Sequence, residues 1–220
     1  STYEGLPFIE RLSLLVEHEQ LSREQRKQAR LVKQARLKLQ ATVQEVDYQS
    51  ARNLERSQVA NLAQGEWLRR GQNLLITGPC GCGKTYLACA LGYQACQQGH
   101  STRYYRLPRL LLELSQAKVD GSYARLLGQL ARIELLILDD WGLEAVNAEQ
   151  RNALLEIMDD RYGKYSTVVV SQLPTEEWYA SLGDNTLADA ILDRLMHNAH
   201  RLSLKGESMR KRRSELTQSE

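Results

Sequence analysis

Gly78-Pro79-Cys80-Gly81-Cys82-Gly83-Lys84-Thr85 is the stretch that decides how this chain is read. It fits G-x-x-x-x-G-K-[ST], the pattern of a phosphate-binding loop. Ahead of it runs Asn73-Leu74-Leu75-Ile76-Thr77, short, apolar and bounded by Gly71, which predicts a buried strand. Behind it, Leu87, Ala88, Leu91 and Ala95 recur at helical spacing as far as Gly99, a helix stop. Glycines let a backbone bend around an anion with its N–H groups turned inward. The start of the helix adds unpaired donors and a partial positive charge. The predicted nucleotide set is therefore Gly78, Pro79, Cys80, Gly81, Cys82, Gly83, Lys84, Thr85 and Tyr86. Lys84 would reach the β- and γ-phosphates of ATP, and the Thr85 hydroxyl would meet Mg²⁺.

Further along, Leu135-Leu136-Ile137-Leu138 leads into Asp139-Asp140, a buried strand that ends in two carboxylates. Adjacent carboxylates repel unless a cation lies between them. Asp139 is thus a metal ligand beside Thr85, and Asp140 the group that orients or deprotonates the attacking water. The alternative is a strand-end turn. Thr167–Val170 predicts another strand, with Gln172 at its carboxyl end, where ligands bind in open α/β sheets. Gln172 is the candidate for holding that water, and Ser171 competes with it. Arg194 is a candidate arginine finger supplied by a neighbouring subunit. Its competing role is an ion pair with Asp193 or Asp189. Arg210 is either a second phosphate-sensing arginine or one of the DNA-contacting charges of the tail. His197 and His200 have metal spacing but no third ligand, so they are read as structural.

The remaining elements alternate. Strands are predicted at 101–105 and 201–204, and helices at 108–118, 122–132, 148–162 and 187–197. Strand following helix gives α/β architecture, a parallel five-stranded sheet between helices. Residues 1–60 read as a helical, basic N-terminal domain for DNA contact or oligomerisation, and 61–220 as the ATPase domain. Helices are predicted at 7–20, with Phe8, Leu12, Leu15 and Val16 on one side, and at 22–39, with Ser22 as N-cap and Gln25 as its partner. At roughly 100° per residue, Leu21, Leu31, Val32, Ala35 and Leu39 share a packing face. Arg23, Arg26, Lys27, Arg30 and Lys33 fall opposite. Residues 23–38 carry seven Lys or Arg against one Glu, which favours a nucleic-acid backbone over a merely solvated face. The 220 residues, net charge +2, allow one sizeable domain plus an appendage, and no apolar run is long enough for a membrane. The four cysteines lack zinc spacing and read as reduced thiols of a cytoplasmic chain.

These residues together resemble the IstB-type ATPases that assist transposition of bacterial insertion sequences. Those are AAA+ proteins related to DnaC-type helicase loaders. The likeness rests on Gly65-Glu66-Trp67 with Arg69–Asn73, the phosphate loop, Arg106-Leu107-Pro108-Arg109-Leu110, and Asp120-Gly121-Ser122-Tyr123. It continues through Leu136–Gly142, Ser171-Gln172-Leu173-Pro174, Ala190–Arg194 and Lys205–Arg210. The resemblance implies a bacterial, nucleoid-associated homo-oligomer with shared ATP sites. Such a protein binds double-stranded DNA with little sequence preference and presents it to a transposase. It also implies that the helices at 108–132 face nucleic acid, which adds Arg106, Arg109, Lys118 and Arg125 to the DNA-binding set. Asp140 departs from the Glu usual in the wider superfamily, and the helical lid common in AAA+ proteins would be minimal or absent. A helicase loader would share the ATP chemistry and differ in its partner. A P-loop kinase would need an acceptor site, and a clamp with negligible hydrolysis would bind ATP without turning it over.

Overall fold

The computed structural model describes residues 5–48, 52–183, 185–206 and 208–209. In chain order the elements are α1 (Phe8–Ala35), α2 (Arg56–Ala63), α3 (Glu66–Arg69), β1 (Asn73–Thr77), α4 (Lys84–Gln97), β2 (Thr102–Arg106), α5 (Leu107–Asp120) and α6 (Tyr123–Arg132). There follow β3 (Leu135–Trp141), α7 (Ala148–Arg161), β4 (Ser166–Ser171), a 3-10 turn (Thr175–Glu177), α8 (Trp178–Leu182), α9 (Asn185–Met196) and β5 (Ala199–Ser203). The sheet runs β2-β3-β4-β1-β5 and every pairing is parallel.

Successive side chains on a strand point to opposite faces, and each face here has its own core. Leu74, Ile76, Ile137, Val168 and Val170 pack with Leu87, Ala88 and Leu91 of α4. Leu75, Leu136, Leu138 and Val169 pack with Leu110 and Leu114 of α5, Leu154 and Ile157 of α7, and Ile191 and Leu195 of α9. Burial on both faces is why these strands read as unbroken apolar runs. At the start of α7, Asn147 Oδ1 accepts from Gln150 N at 2.9 Å while Gln150 Oε1 accepts from Asn147 N at 3.0 Å, a reciprocal cap.

The N-terminal helices differ from expectation. α1 is one helix of 28 residues, and Ser22 lies inside it. No glycine or proline falls between Pro7 and Arg36, so nothing stops propagation once a turn has formed. The predicted packing face is also too long. Leu31 and Ala35 are buried against Cys96 of α4, with Val32 partly covered, but Leu21 is 59% exposed and Leu39 is exposed too. Phe8, Leu12, Leu15 and Val16 are exposed as well. The 3.6-residue period reports which side of a helix is apolar. It does not report how far along its length a neighbour lies. Smaller shifts occur at β2, β4, β5 and α9, each by one or two residues, as element ends commonly move.

Candidate nucleotide site

The phosphate loop leaves β1 and closes on α4. Gly81 and Gly83 have φ of 82° and 94°, which favours glycine on conformational grounds. Space demands it too. A Cβ on Gly81 would come within 2.2 Å of Ser208 Oγ, and one on Gly83 within 2.7 Å of Arg52 Nη1. Lys84 is buried, and its Nζ donates to Gly78 O at 2.6 Å and Pro79 O at 2.7 Å. The ammonium is therefore held on the limb of the loop nearer β1.

β3 is irregular where the two carboxylates lie. Leu138 pairs with Val169 and Trp141 with Ser171, so β3 spends one residue more than β4 over this interval. That is a bulge, which re-aims side chains. Asp140 takes φ 62° and its N–H donates to Asp139 Oδ1 at 2.9 Å. Asp139 is buried, and its Oδ2 accepts from Thr85 Oγ1 at 2.9 Å and from Tyr104 OH at 2.6 Å. Burial first, and then the bond to Asp139, push the Tyr104 phenol far above its ordinary value, so it stays a donor. Lys38 Nζ lies 3.8 Å from the same carboxylate oxygen. Hard oxygens from Thr85 and Asp139 converge at a point that already attracts a cationic group. That donor set fits Mg²⁺, which binds through one or two carboxylates plus substrate phosphates. Arg106 Nε donates to Asp140 Oδ2 at 2.5 Å, so this guanidinium, read in sequence as a DNA contact, is engaged at the second carboxylate.

Gln172 follows β4, which lies between β1 and β3. It is exposed at the end of the sheet that carries the loop and the carboxylates. Its rival, Ser171, is buried. That hydroxyl donates to Trp141 O at 2.8 Å and accepts from Leu173 N at 3.0 Å, so it braces the strand ends. Arg194 lies elsewhere. It lines a cavity of about 250 Å³ with Gly71 and Asn73, at the opposite end of β1. Its guanidinium pairs with Asp159 of α7, not with Asp189 or Asp193 as the sequence alternative had it. The reason is that α7 packs against α9, whereas Asp193 is adjacent in sequence and cannot face it. Within one chain Arg194 is thus apart from the phosphate loop. His200 is on β5 and its Nε2 lies 2.9 Å from Gln72 Oε1, while His197 follows α9, so the two do not share a helix.

Arg210 lies outside the described residues. Its neighbour Met209 donates its N–H to Gly81 O at 2.9 Å. On α1, Arg23 and Arg26 both meet Glu19, at 2.7 and 3.4 Å, and Lys27, Arg30 and Lys33 are exposed. Arg109 and Arg125 are exposed. Lys118 is engaged, 3.2 Å from Glu149 and 4.8 Å from the Tyr123 ring centroid. Sequence reasoning missed Tyr104, Lys38 and Arg52. Tyr104 had a usable signal, since alternation along β2 turns it to the same face of the sheet as α4 and Thr85. Lys38 and Arg52 had none, because their places rest on contacts distant in sequence, to Asp139 and to Cys82 and Lys205.

A glycine loop after the first strand of a parallel five-stranded sheet, with an acidic pair ending the strand two places away, defines a P-loop nucleotide-binding protein of AAA+ architecture. Solved structures agree on the fold. The DnaC helicase loader superposes with TM-score 0.64 at 20% identity, over 75% of this chain and 97% of that one. The replication initiator DnaA, bound to AMPPCP and single-stranded DNA, gives 0.66 at 16% identity, over 83% of this chain and 56% of that one. The chain belongs to the family of IstB-like ATP binding proteins, whose model matches residues 2–217. An insertion sequence ATP-binding protein of Sinorhizobium fredii is 50% identical over 208 residues, 94% of this chain and 85% of the relative. The corresponding IS21 protein of Pseudomonas aeruginosa is 36% identical over 205 residues, 93% and 77% of the two chains. Among the described residues no helix is long and apolar enough to cross a membrane.

Proposed function

We propose that the protein is an ATP-hydrolysing, DNA-binding regulator of transposition. It forms homo-oligomers with shared ATP sites on double-stranded target DNA and delivers that DNA to a transposase. The observation that carries the reading is the convergence of Lys84, Thr85, Asp139 and Asp140 at one end of the sheet, in a chain whose relatives are named for insertion sequences. Lys84 binds the β- and γ-phosphates, and Thr85 and Asp139 hold Mg²⁺. The metal neutralises charge on the phosphates and orients them. Asp140 accepts a proton from the attacking water, which Gln172 positions. Arg106 must loosen its hold on Asp140 for that proton to move, since its guanidinium occupies Asp140 Oδ2. Arg194 reaches the γ-phosphate of a neighbouring subunit. Turnover stimulated by duplex DNA supports this reading over a kinase, which a nucleoside would stimulate, and over a clamp, which would not turn over. Co-purification with a replicative helicase in place of a transposase would instead make the protein a helicase loader.

The exposed basic side of α1 meets backbone phosphates. Its cations recur at i, i+3, i+4 and i+7 over roughly two turns, with no paired Arg and Asn to read bases. Binding is then sequence-tolerant and dominated by counterion release. Changing Arg26, Arg30 and Lys33 to Gln should lower affinity for all duplexes alike. The slope of log K against log salt should flatten by roughly 0.9 for each lost phosphate contact. The exposed pairing of Arg26 with Glu19 does not prevent this, since such pairs exchange readily with solvent. ATP binding should survive the triple change. An unaltered salt slope would move the DNA path to Arg109, Arg125 and the basic tail.

A further inference from the structure

Arg52 has no role in the site as described so far, yet it is buried, 6% exposed, against the phosphate loop. The backbone fixes its place. Arg52 O accepts from Lys205 N at 2.9 Å, and the next side chain, Asn53, donates to Ser203 O at 3.0 Å. Nη1 donates to Cys82 O at 3.3 Å and stands 2.7 Å from where a Cβ on Gly83 would lie. The other two nitrogens, Nε and Nη2, are buried, and among the described residues neither has a hydrogen-bond partner. A guanidinium in this condition is costly, because buried donors without acceptors lose their hydration and gain nothing for it. In native proteins such groups are completed by a water, an ion or a ligand.

The missing acceptor is identified by what surrounds the group. Arg52 lines a cavity of about 280 Å³ together with Gly81, Gly83, Lys84 and Thr85 of the loop and the carboxylates Glu45 and Asp47. In phosphate loops the backbone N–H groups around the start of the helix cradle the α- and β-phosphates, while the lysine reaches the β- and γ-phosphates. Lys84 is drawn to Gly78 and Pro79, on one limb of this loop. Arg52 stands at Cys82 and Gly83, on the other. We infer that Arg52 is a nucleotide-binding residue whose free Nε and Nη2 donate to the α-phosphate of the nucleotide held in the loop. The inference rests on the nucleotide site proposed above. It gives the segment between α1 and α2 a direct part in binding. A contact to the α-phosphate serves ATP and ADP equally, so it is uniform binding and does not sense the γ-phosphate.

Arg52→Gln in the full chain tests this by two readouts, the Kd of ATP and of ADP with Mg²⁺, and the melting temperature with and without ADP. Both affinities should fall by the same factor, about 10- to 100-fold, as expected for charge-assisted bonds to a phosphate. The unliganded variant should melt no lower than wild type, since glutamine leaves fewer buried donors unpaired, while the shift produced by ADP shrinks. Arg52→Lys should recover part of the affinity. Unchanged Kd values would overturn the inference. So would a variant that melts lower or fails to fold, with the ADP shift intact in Arg52→Lys, because that is the signature of a brace. A wild-type protein that binds neither nucleotide would instead overturn the site reading beneath it.

Discussion

Lys84→Ala should abolish productive ATP binding. The side chain is buried, and its ammonium is within hydrogen-bond reach of two carbonyls on the limb of the loop nearer β1. Charge-assisted bonds contribute about 1.5–3 kcal/mol each. Losing two of them weakens binding by about 10²–10⁴-fold. Alanine also leaves Gly78 O and Pro79 O without their donor, so the loop itself loosens. Titration calorimetry with ATP and Mg²⁺ checks this directly. Asp140→Asn is the companion change. It should keep ATP binding and slow phosphate release by roughly 10²–10⁴-fold, the usual worth of a general base. The amide can still accept from Arg106 but cannot take a proton. Wild-type turnover by Asp140→Asn in the presence of duplex DNA would remove Asp140 from the chemistry.

Arg194→Ala should lower DNA-stimulated turnover by roughly 10³–10⁵-fold, the range seen where an arginine finger is lost. Each monomer should still fold and bind ATP. Asp159, the present partner, is half exposed, so parting the pair frees no buried charge. The melting temperature checks that assumption. The decisive measurement mixes Arg194→Ala with Lys84→Ala. An interface that joins Arg194 of the second protein to Lys84 of the first is intact, so turnover should reappear in the mixture. No recovery at any mixing ratio would return Arg194 to the ion pair with Asp159 as its whole role.

Much of this molecule was legible because its signals are local. β1 begins and ends where the apolar run does, and the loop and helix after it follow from glycine, lysine and the 3.6-residue period. The acidic pair was also readable, but not the one-residue bulge at that point, which is visible only in the register of β3 against β4. Other misses share this non-local character. Ser22 resembled a cap because capping is a pattern of types, but nothing around it halts the helix. Arg194 had two acidic neighbours in sequence and chose a third across a helix packing contact. Lys38 and Arg52 belong to a segment without periodicity, and only its return path puts them beside Asp139 and Cys82.

The strand that carries the loop has consequences for how the chain matures on the ribosome. β1 pairs with β4 and β5 alone, so its edges stay bare until residues 166–171 and 199–203 have been synthesised. The loop waits longer still, because Leu204 N donates to Thr77 O and Met209 N to Gly81 O. Non-local pairing of this kind is slow, and it cannot begin before its partners exist. A nascent chain released at about residue 180 should therefore carry the complete glycine signature and still retain no ATP. Ribosome-bound intermediates of graded length, assayed for nucleotide capture, should switch on abruptly once residues 199–209 have emerged, and a gradual rise from residue 100 onward would contradict that order.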